Sequence, residues 1–189
     1  EEKKKGVNPE VQSAFLKGNT LTLMMTFFPK SEEAEKIISN QKMKVKFEVD
    51  TENPKGGRTE TKFRFLPAPY EVRVFDEPTL FSGKIHAILC RNYKNHVKGR
   101  DFYDYLFYIG KSSAFNLEYL GNKLKNTGVI PLNETLTVER TKTMLEERFE
   151  TVDYESVKED VSNFITDKAS LSLWKKDLFL ATLDDLKAD

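Results

Sequence analysis

Between Thr20 and Asp76 the apolar residues of this chain recur mostly at every second position, and after Asp76 they recur at helical spacing. That change of period restricts the fold to a small sheet followed by helices, an α+β arrangement, because a pattern written for one element does not bury its apolar side as the other. Thr20–Phe28 and Lys42–Asp50 read as strands, with Val45, Phe47 and Val49 alternating against Lys44, Lys46, Glu48 and Asp50. Thr59–Leu66 and Tyr70–Phe75 read as two more, separated by Pro67-Ala68-Pro69, so the expectation is a mixed or antiparallel sheet of about four strands. Ser31–Ser39 suits a short helix, with Ser31 as N-cap and Glu32 and Glu33 in its first turn, and Asn53-Pro54-Lys55-Gly56-Gly57 has the composition of a turn or loop. Pro78–Tyr93, Gly99–Ile109, Leu117–Asn126, Val138–Thr151, Tyr154–Thr166 and Leu171–Leu186 read as helices, punctuated by Gly110, Gly128 and Pro131. The expected division is a sheet domain over residues 1–76 and a helical domain over residues 77–189.

The 30 cationic and 30 anionic side chains cancel, so any polyanion must be met by a local patch rather than by the field of the whole protein. One cysteine and two histidines exclude a disulfide framework and argue against a structural zinc site; a reducing, cytoplasmic setting is the expectation. No apolar run reaches the roughly 18–20 residues of a membrane span, and Glu1-Glu2-Lys3-Lys4-Lys5-Gly6 is no signal peptide. A chain that opens without Met is expected of a processed protein, a cloned fragment or part of a longer polypeptide.

The chemistry-bearing residues fall in two places. Lys84 and Arg91 stand seven residues apart, about two helical turns, and share a face of one predicted helix; Asp101 and Asp104 share a face of the next, where Arg100 reaches Asp104 at i,i+4. Lys84 lies toward the start of its helix beside Gly83, which allows a ligand close approach, and an ammonium there suits a triphosphate with Arg91 reinforcing it; a snorkelling Lys and a salt-bridged Arg fit the same spacing. Arg100-Asp101-Phe102-Tyr103-Asp104 reads either as an ion-pair network joining two helices or as carboxylates that position a cation, and Asp101 is also placed to cap its helix. Glu48 and Asp50 share one face at the end of a strand, where phosphoryl-transfer enzymes hold a divalent ion; on spacing alone the solvent face of a half-buried strand is the favoured explanation. His86 faces away from Lys84 and reads as packed or surface, Cys90 as core, and His96 with Lys94, Lys98 and Arg100 as a short basic patch.

Four linked blocks carry a resemblance: Glu48-Val49-Asp50-Thr51-Glu52-Asn53-Pro54, then Thr59-Glu60, then Leu80-Phe81-Ser82-Gly83-Lys84-Ile85-His86-Ala87, then Val97-Lys98-Gly99-Arg100-Asp101-Phe102-Tyr103-Asp104. In this order they resemble the AbiEii/AbiGii-type nucleotidyltransferases, toxin components of bacterial abortive-infection and type IV toxin–antitoxin systems. The resemblance implies a polymerase-β-like nucleotidyltransferase sheet with a C-terminal helical bundle. It also implies Mg²⁺-dependent transfer of a nucleoside monophosphate from an NTP to an acceptor such as tRNA, and an antitoxin partner. It gives Asp50 the part of the third, strand-borne carboxylate and a metal ligand, and Lys84 that of the lysine on the NTP phosphates. Asp101 and Asp104 take the part of the motif aspartates of the helical segment, and Arg91 of a supporting cation.

The family's first motif, a Gly-Ser/Thr turn followed by Asp-x-Asp, belongs upstream of Glu1 and has no counterpart in these residues. The expectation is therefore a partial nucleotidyltransferase, with weak metal binding and little turnover from these residues alone. The rival expectation is a non-catalytic interaction module that binds an antitoxin or a separate N-terminal half.

Overall fold

A computed structural model describes residues 7–17, 20–29, 43–50, 53–66, 68–91 and 97–189. The expected helix at Ser31–Ser39, His96 and Lys94 lie outside the described residues. The fold is α+β, and the chain divides into two compact units, Glu1–Asn53 and Pro54–Asp189.

The first unit holds three antiparallel strands in spatial order β1-β2-β3: β1 (Val7–Lys17), β2 (Thr20–Pro29) and β3 (Met43–Asp50). The register runs from Lys17 opposite Thr20 to Val7 opposite Pro29, and from Asp50 opposite Thr20 to Met43 opposite Phe27. β1 has no counterpart among the strands expected from sequence. It contains Pro9, which suits a strand paired on one side only, and its register shifts between Val11 and Ser13, so no unbroken alternation marks it.

In the second unit β4 (Thr59–Arg64) and β5 (Tyr70–Phe75) form a two-stranded antiparallel hairpin, with Thr59 opposite Phe75 and Arg64 opposite Tyr70. Among the described residues these two strands pair only with each other, so the expected four-strand sheet is seen as two separate ladders. The helices follow: α1 (Glu77–Cys90), α2 (Gly99–Gly110), α3 (Leu117–Asn126), α4 (Val138–Thr151), α5 (Tyr154–Val161) and α6 (Lys176–Ala181). None of the helices is long and apolar enough to cross a membrane, among the described residues.

Side-chain caps explain why the helix starts are so well marked. Asp76 accepts the Thr79 amide at 2.9 Å at the start of α1, with Pro78 in the first turn, where its missing N–H costs nothing. Asn116, Thr137 and Asp153 do the same for α3, α4 and α5. The predicted helix at Leu171–Leu186 is instead a 3-10 turn over Lys168–Leu173, then Trp174, then the short α6. Trp174 is buried and packs edge-on against Phe179 at 6.0 Å, so burial of that large ring takes precedence over helical continuity.

The core mixes aromatic rings with aliphatic side chains. Phe81, Phe102, Tyr105, Phe115, Phe149 and Phe179 are fully buried, and Phe102 meets Phe179 edge-to-face at 5.5 Å. Such geometry adds about 0.5–1.5 kcal/mol per pair beyond area burial. Asn116 is the main buried polar group tying elements together: it is 3% exposed, donates from Nδ2 to the Gly56 carbonyl at 2.8 Å and to Thr79 Oγ1 at 3.3 Å, and accepts Ser82 Oγ on its carbonyl at 2.8 Å.

Gly99 sets how closely α2 approaches α5. A Cβ built there would stand 2.3 Å from the Val157 carbonyl oxygen, a backbone atom that cannot swing aside. Gly99→Ala is expected to lower stability by about 1–3 kcal/mol, the cost of overpacking, despite alanine's better helix propensity. Urea unfolding midpoints of the two proteins check this.

Candidate functional site

α1 turns Phe81, Ile85 and Ile88 into the core at helical spacing, which leaves Lys84 and Arg91 together on the flank of that buried stripe. Each finds a carboxylate on α2. Lys84 Nζ lies 2.6 Å from Asp104 Oδ2, and Arg91 Nη1 lies 2.5 Å from Asp101 Oδ2. The earlier cation pairs with the later acid and the later cation with the earlier acid, as two antiparallel helices require. The four residues singled out by spacing are thus brought together as two rungs between α1 and α2. Asp104 is held by Lys84 across the helices rather than by Arg100 within its own. Asp101 does not cap α2: Lys98 occupies the cap position, without a side-chain cap bond, and Asp101 lies in the first turn.

The rungs differ in burial, and that decides what each can do. The Asp101 side chain is 7% exposed, so its charge depends on its partners, and loss of a partner to a buried charge costs several kcal/mol. Arg91 itself is fixed at the end of α1. It is the C-cap residue, its amide donating to the Ala87 carbonyl, while Arg148 of α4 donates from Nε to the Ile88 carbonyl at 2.9 Å and from Nη2 to the Arg91 carbonyl. A guanidinium on the free carbonyls of a helix C-terminus is favourable both as hydrogen bonding and as charge against the macrodipole. Arg148 was not singled out from the sequence, because its target is fifty-seven residues away from it along the chain.

The Lys84–Asp104 rung is more open, the side chains being 39% and 34% exposed. An ion pair of that exposure is worth about 0–1 kcal/mol, less than the about 1.5–3 kcal/mol of a hydrogen bond to a charged group. An arriving phosphate can therefore draw the Lys84 ammonium away from Asp104. Lys84 stands in mid-helix rather than near its start, so the helix dipole adds little there. Gly83 beside it has nothing within 4 Å of where a Cβ would stand, so packing does not account for glycine at this helical position.

His86 points elsewhere. Its Nε2 is 3.2 Å from Thr127 Oγ1 at the end of α3, and Cys90 Sγ is 3.6 Å from the same hydroxyl. Burial, aided by the nearby Lys123 charge, lowers the His86 pKa to about 4, so the ring is neutral at pH 7. Burial raises the Cys90 thiol, which makes it a poor nucleophile. Asp50, the expected metal ligand, is the last residue of β3, opposite Thr20. Asp101 and Asp104 are both engaged by cations, and among the described residues no cluster of three or more His, Cys, Asp or Glu side chains forms. Two surface hollows, of about 420 Å³ against α3 and about 320 Å³ beside Leu89 and Arg148, are not lined by Lys84 or Asp104.

The model of one protein family, described as nucleotidyl transferase AbiEii toxin, type IV toxin–antitoxin system, matches residues 2–182 of the chain. No curated protein and no solved structure matches it.

The His86 environment has a measurable sign. The folded pKa of about 4 lies below the ordinary value of 6.5, so protons bind the unfolded chain first. The stability held by neutral His86 is complete above pH 6.5 and is lost as the pH falls toward about 4. Urea midpoints measured across that interval should fall less steeply for His86→Gln than for the unaltered protein.

Proposed function

The chain belongs to the AbiEii nucleotidyltransferase toxin family of type IV toxin–antitoxin systems, and from that premise we propose that Lys84 is its NTP-phosphate contact in transfer of a nucleoside monophosphate to an acceptor such as tRNA. The observation that carries this reading is the half-open Lys84–Asp104 pair beside an unfilled Gly83. A lysine held by a weak ion pair is aimed and charged before substrate arrives, and it exchanges one oxygen partner for another with little penalty. Asp104 is the positioning residue that holds the ammonium until then. Arg91 stands about 10 Å further along α1 by helical rise and supports the site through Asp101, keeping α1 and α2 in register.

The remaining assignments rest on the family's chemistry, which uses a divalent metal. Asp50 is proposed as a carboxylate ligand to Mg²⁺, within a polymerase-β-like sheet, and Mg²⁺ would supply charge neutralisation to the triphosphate. An antitoxin partner follows from the family and is proposed here for this chain, as is a cytoplasmic setting. A second reading, a non-catalytic interaction module, is favoured by one observation: β4 is exposed at all its positions, with Phe63 61% exposed, as a strand awaiting a partner would be.

Isothermal titration with each NTP in the presence of Mg²⁺ separates the readings. Lys84→Ala is expected to weaken NTP binding on the order of 10-fold or more, while changing stability by less than about 1 kcal/mol. Gly83→Ala should act in opposite directions, raising stability by about 0.5–1 kcal/mol and lowering NTP affinity as its methyl meets the phosphates. Equal NTP affinity with and without Lys84 would remove the assignment. Transfer from labelled NTPs to total tRNA identifies the nucleotide and the acceptor.

A further inference from the structure

Among the described residues β4 pairs with β5 alone and is exposed at every position from Thr59 to Arg64, so its outer edge carries no ladder there. The Asp76 amide donates to the Arg58 carbonyl at 3.1 Å, which makes Arg58 and Asp76 a hydrogen-bonded pair of the hairpin and Thr59 opposite Phe75 a non-bonded one. That direction alternates along a strand, so Glu60, Lys62 and Arg64 turn their backbone groups toward β5. Thr59, Thr61 and Phe63 turn theirs to the outer edge. The Phe63 carbonyl is reached there by Arg64 Nη1, at 3.4 Å. At its base the hairpin leans on α3, where Phe75 meets Tyr119 at 5.9 Å between ring centres, whereas Phe63 further along is exposed.

We infer that the outer edge of β4 pairs antiparallel with β4 of a second copy, joining two hairpins into a four-stranded sheet about a two-fold axis at Thr61. Only residues that turn outward exchange ladder bonds, so the registers that keep most of the strand paired centre on Glu60, Thr61 or Lys62. The first sets the Glu60 carboxylate against its own copy, and the last does the same with the Lys62 ammonium. The middle register sets Glu60 opposite Lys62 on both sides of the axis. Thr61 then meets Thr61 and Phe63 meets Thr59, so opposite charges, paired threonines and a ring on a β-branched side chain all fall in place. Glu60 and Lys62 already share one face, with Nζ 2.9 Å from Oε1, so the four charges alternate in sign across the axis. A lysine on an edge strand ordinarily discourages pairing; here the acid two residues away answers it. Arg64 comes opposite Arg58, whose guanidinium is turned to Asp76 and Asp189. A two-fold interface requires each residue to suit its partner in both directions, a demand that an unrelated strand does not make and that Glu60 and Lys62 meet. A third strand is also what an isolated two-stranded ladder lacks.

Sedimentation velocity of the whole chain over a range of concentrations reads the mass, and circular dichroism confirms the fold of each variant. The unaltered protein is expected to pass reversibly from monomer to dimer as its concentration rises. Thr61→Pro should hold it monomeric, since the ring removes an outward N–H and leaves the bonds to β5 in place. Glu60→Lys and Lys62→Glu should each weaken the dimer on the order of 10-fold or more, because either change turns both charge pairs into like-charge pairs. An equimolar mixture of those two variants should dimerise as tightly as the unaltered protein, a recovery that damage to the fold of either would not allow. A monomer at every soluble concentration overturns the inference, as does a dimer indifferent to Thr61→Pro or a mixture that associates no better than its components. A chain that stays monomeric alone but binds its cognate antitoxin through an edge that Thr61→Pro destroys would give the strand to that protein instead, and overturns it too. Mass reads this inference and NTP titration reads the Lys84 assignment, so either can fail while the other stands.

Discussion

Asn116 is the buried amide on which the second unit's arrangement turns. Its Oδ1 accepts the Tyr119 amide at 2.9 Å and starts α3, its Nδ2 holds the Gly56 carbonyl, and its own amide donates to the Pro78 carbonyl at 3.1 Å. One residue, through its side chain and its own backbone amide, thus fixes the turn that leads into β4, the first turn of α1 and the first turn of α3. The Tyr119 amide is a first-turn donor of α3 without a partner in its own helix, and leaving such a buried group unbonded costs about 1–3 kcal/mol. No hydrophobic residue at this position could serve, because the contacts are directional. The orientation of α1, and hence of Lys84, follows from this anchoring at its start and from Arg148 at its end.

Much of this was legible in the sequence, and the physical reason is local. Asp76, Asn116, Thr137 and Asp153 are caps of the residue types that satisfy free helix amides, so helix starts lie where those residues lie. The seven-residue spacing of Lys84 and Arg91 and the three-residue spacing of Asp101 and Asp104 predicted two shared faces, and the structure pairs those faces. Which acid each cation meets was not legible, because it depends on the chain direction of α2 against α1. The same holds for Arg148 on the α1 carbonyls and for Gly99 against Val157, whose reasons lie far along the chain. β1 was hidden by Pro9 and by a register shift, both of which break alternation without breaking pairing.

The α1–α2 surface carries two kinds of electrostatics side by side. The Arg91–Asp101 pair sets a nearly buried carboxylate against a half-exposed guanidinium, and the buried charge makes loss of that partner costly. The Lys84–Asp104 pair, with both side chains more than a third exposed, is screened and weak, the condition that the proposed phosphate contact needs.

The two rungs together also mark one offset of α2 against α1. The acids stand three residues apart and the cations seven, about 4.5 Å and 10.5 Å along their axes, so no other offset of α2 against α1 serves both pairs at once. Release of the Lys84 side chain from Asp104 is a rotamer change, on the picosecond-to-nanosecond scale, that leaves the Arg91–Asp101 rung in place.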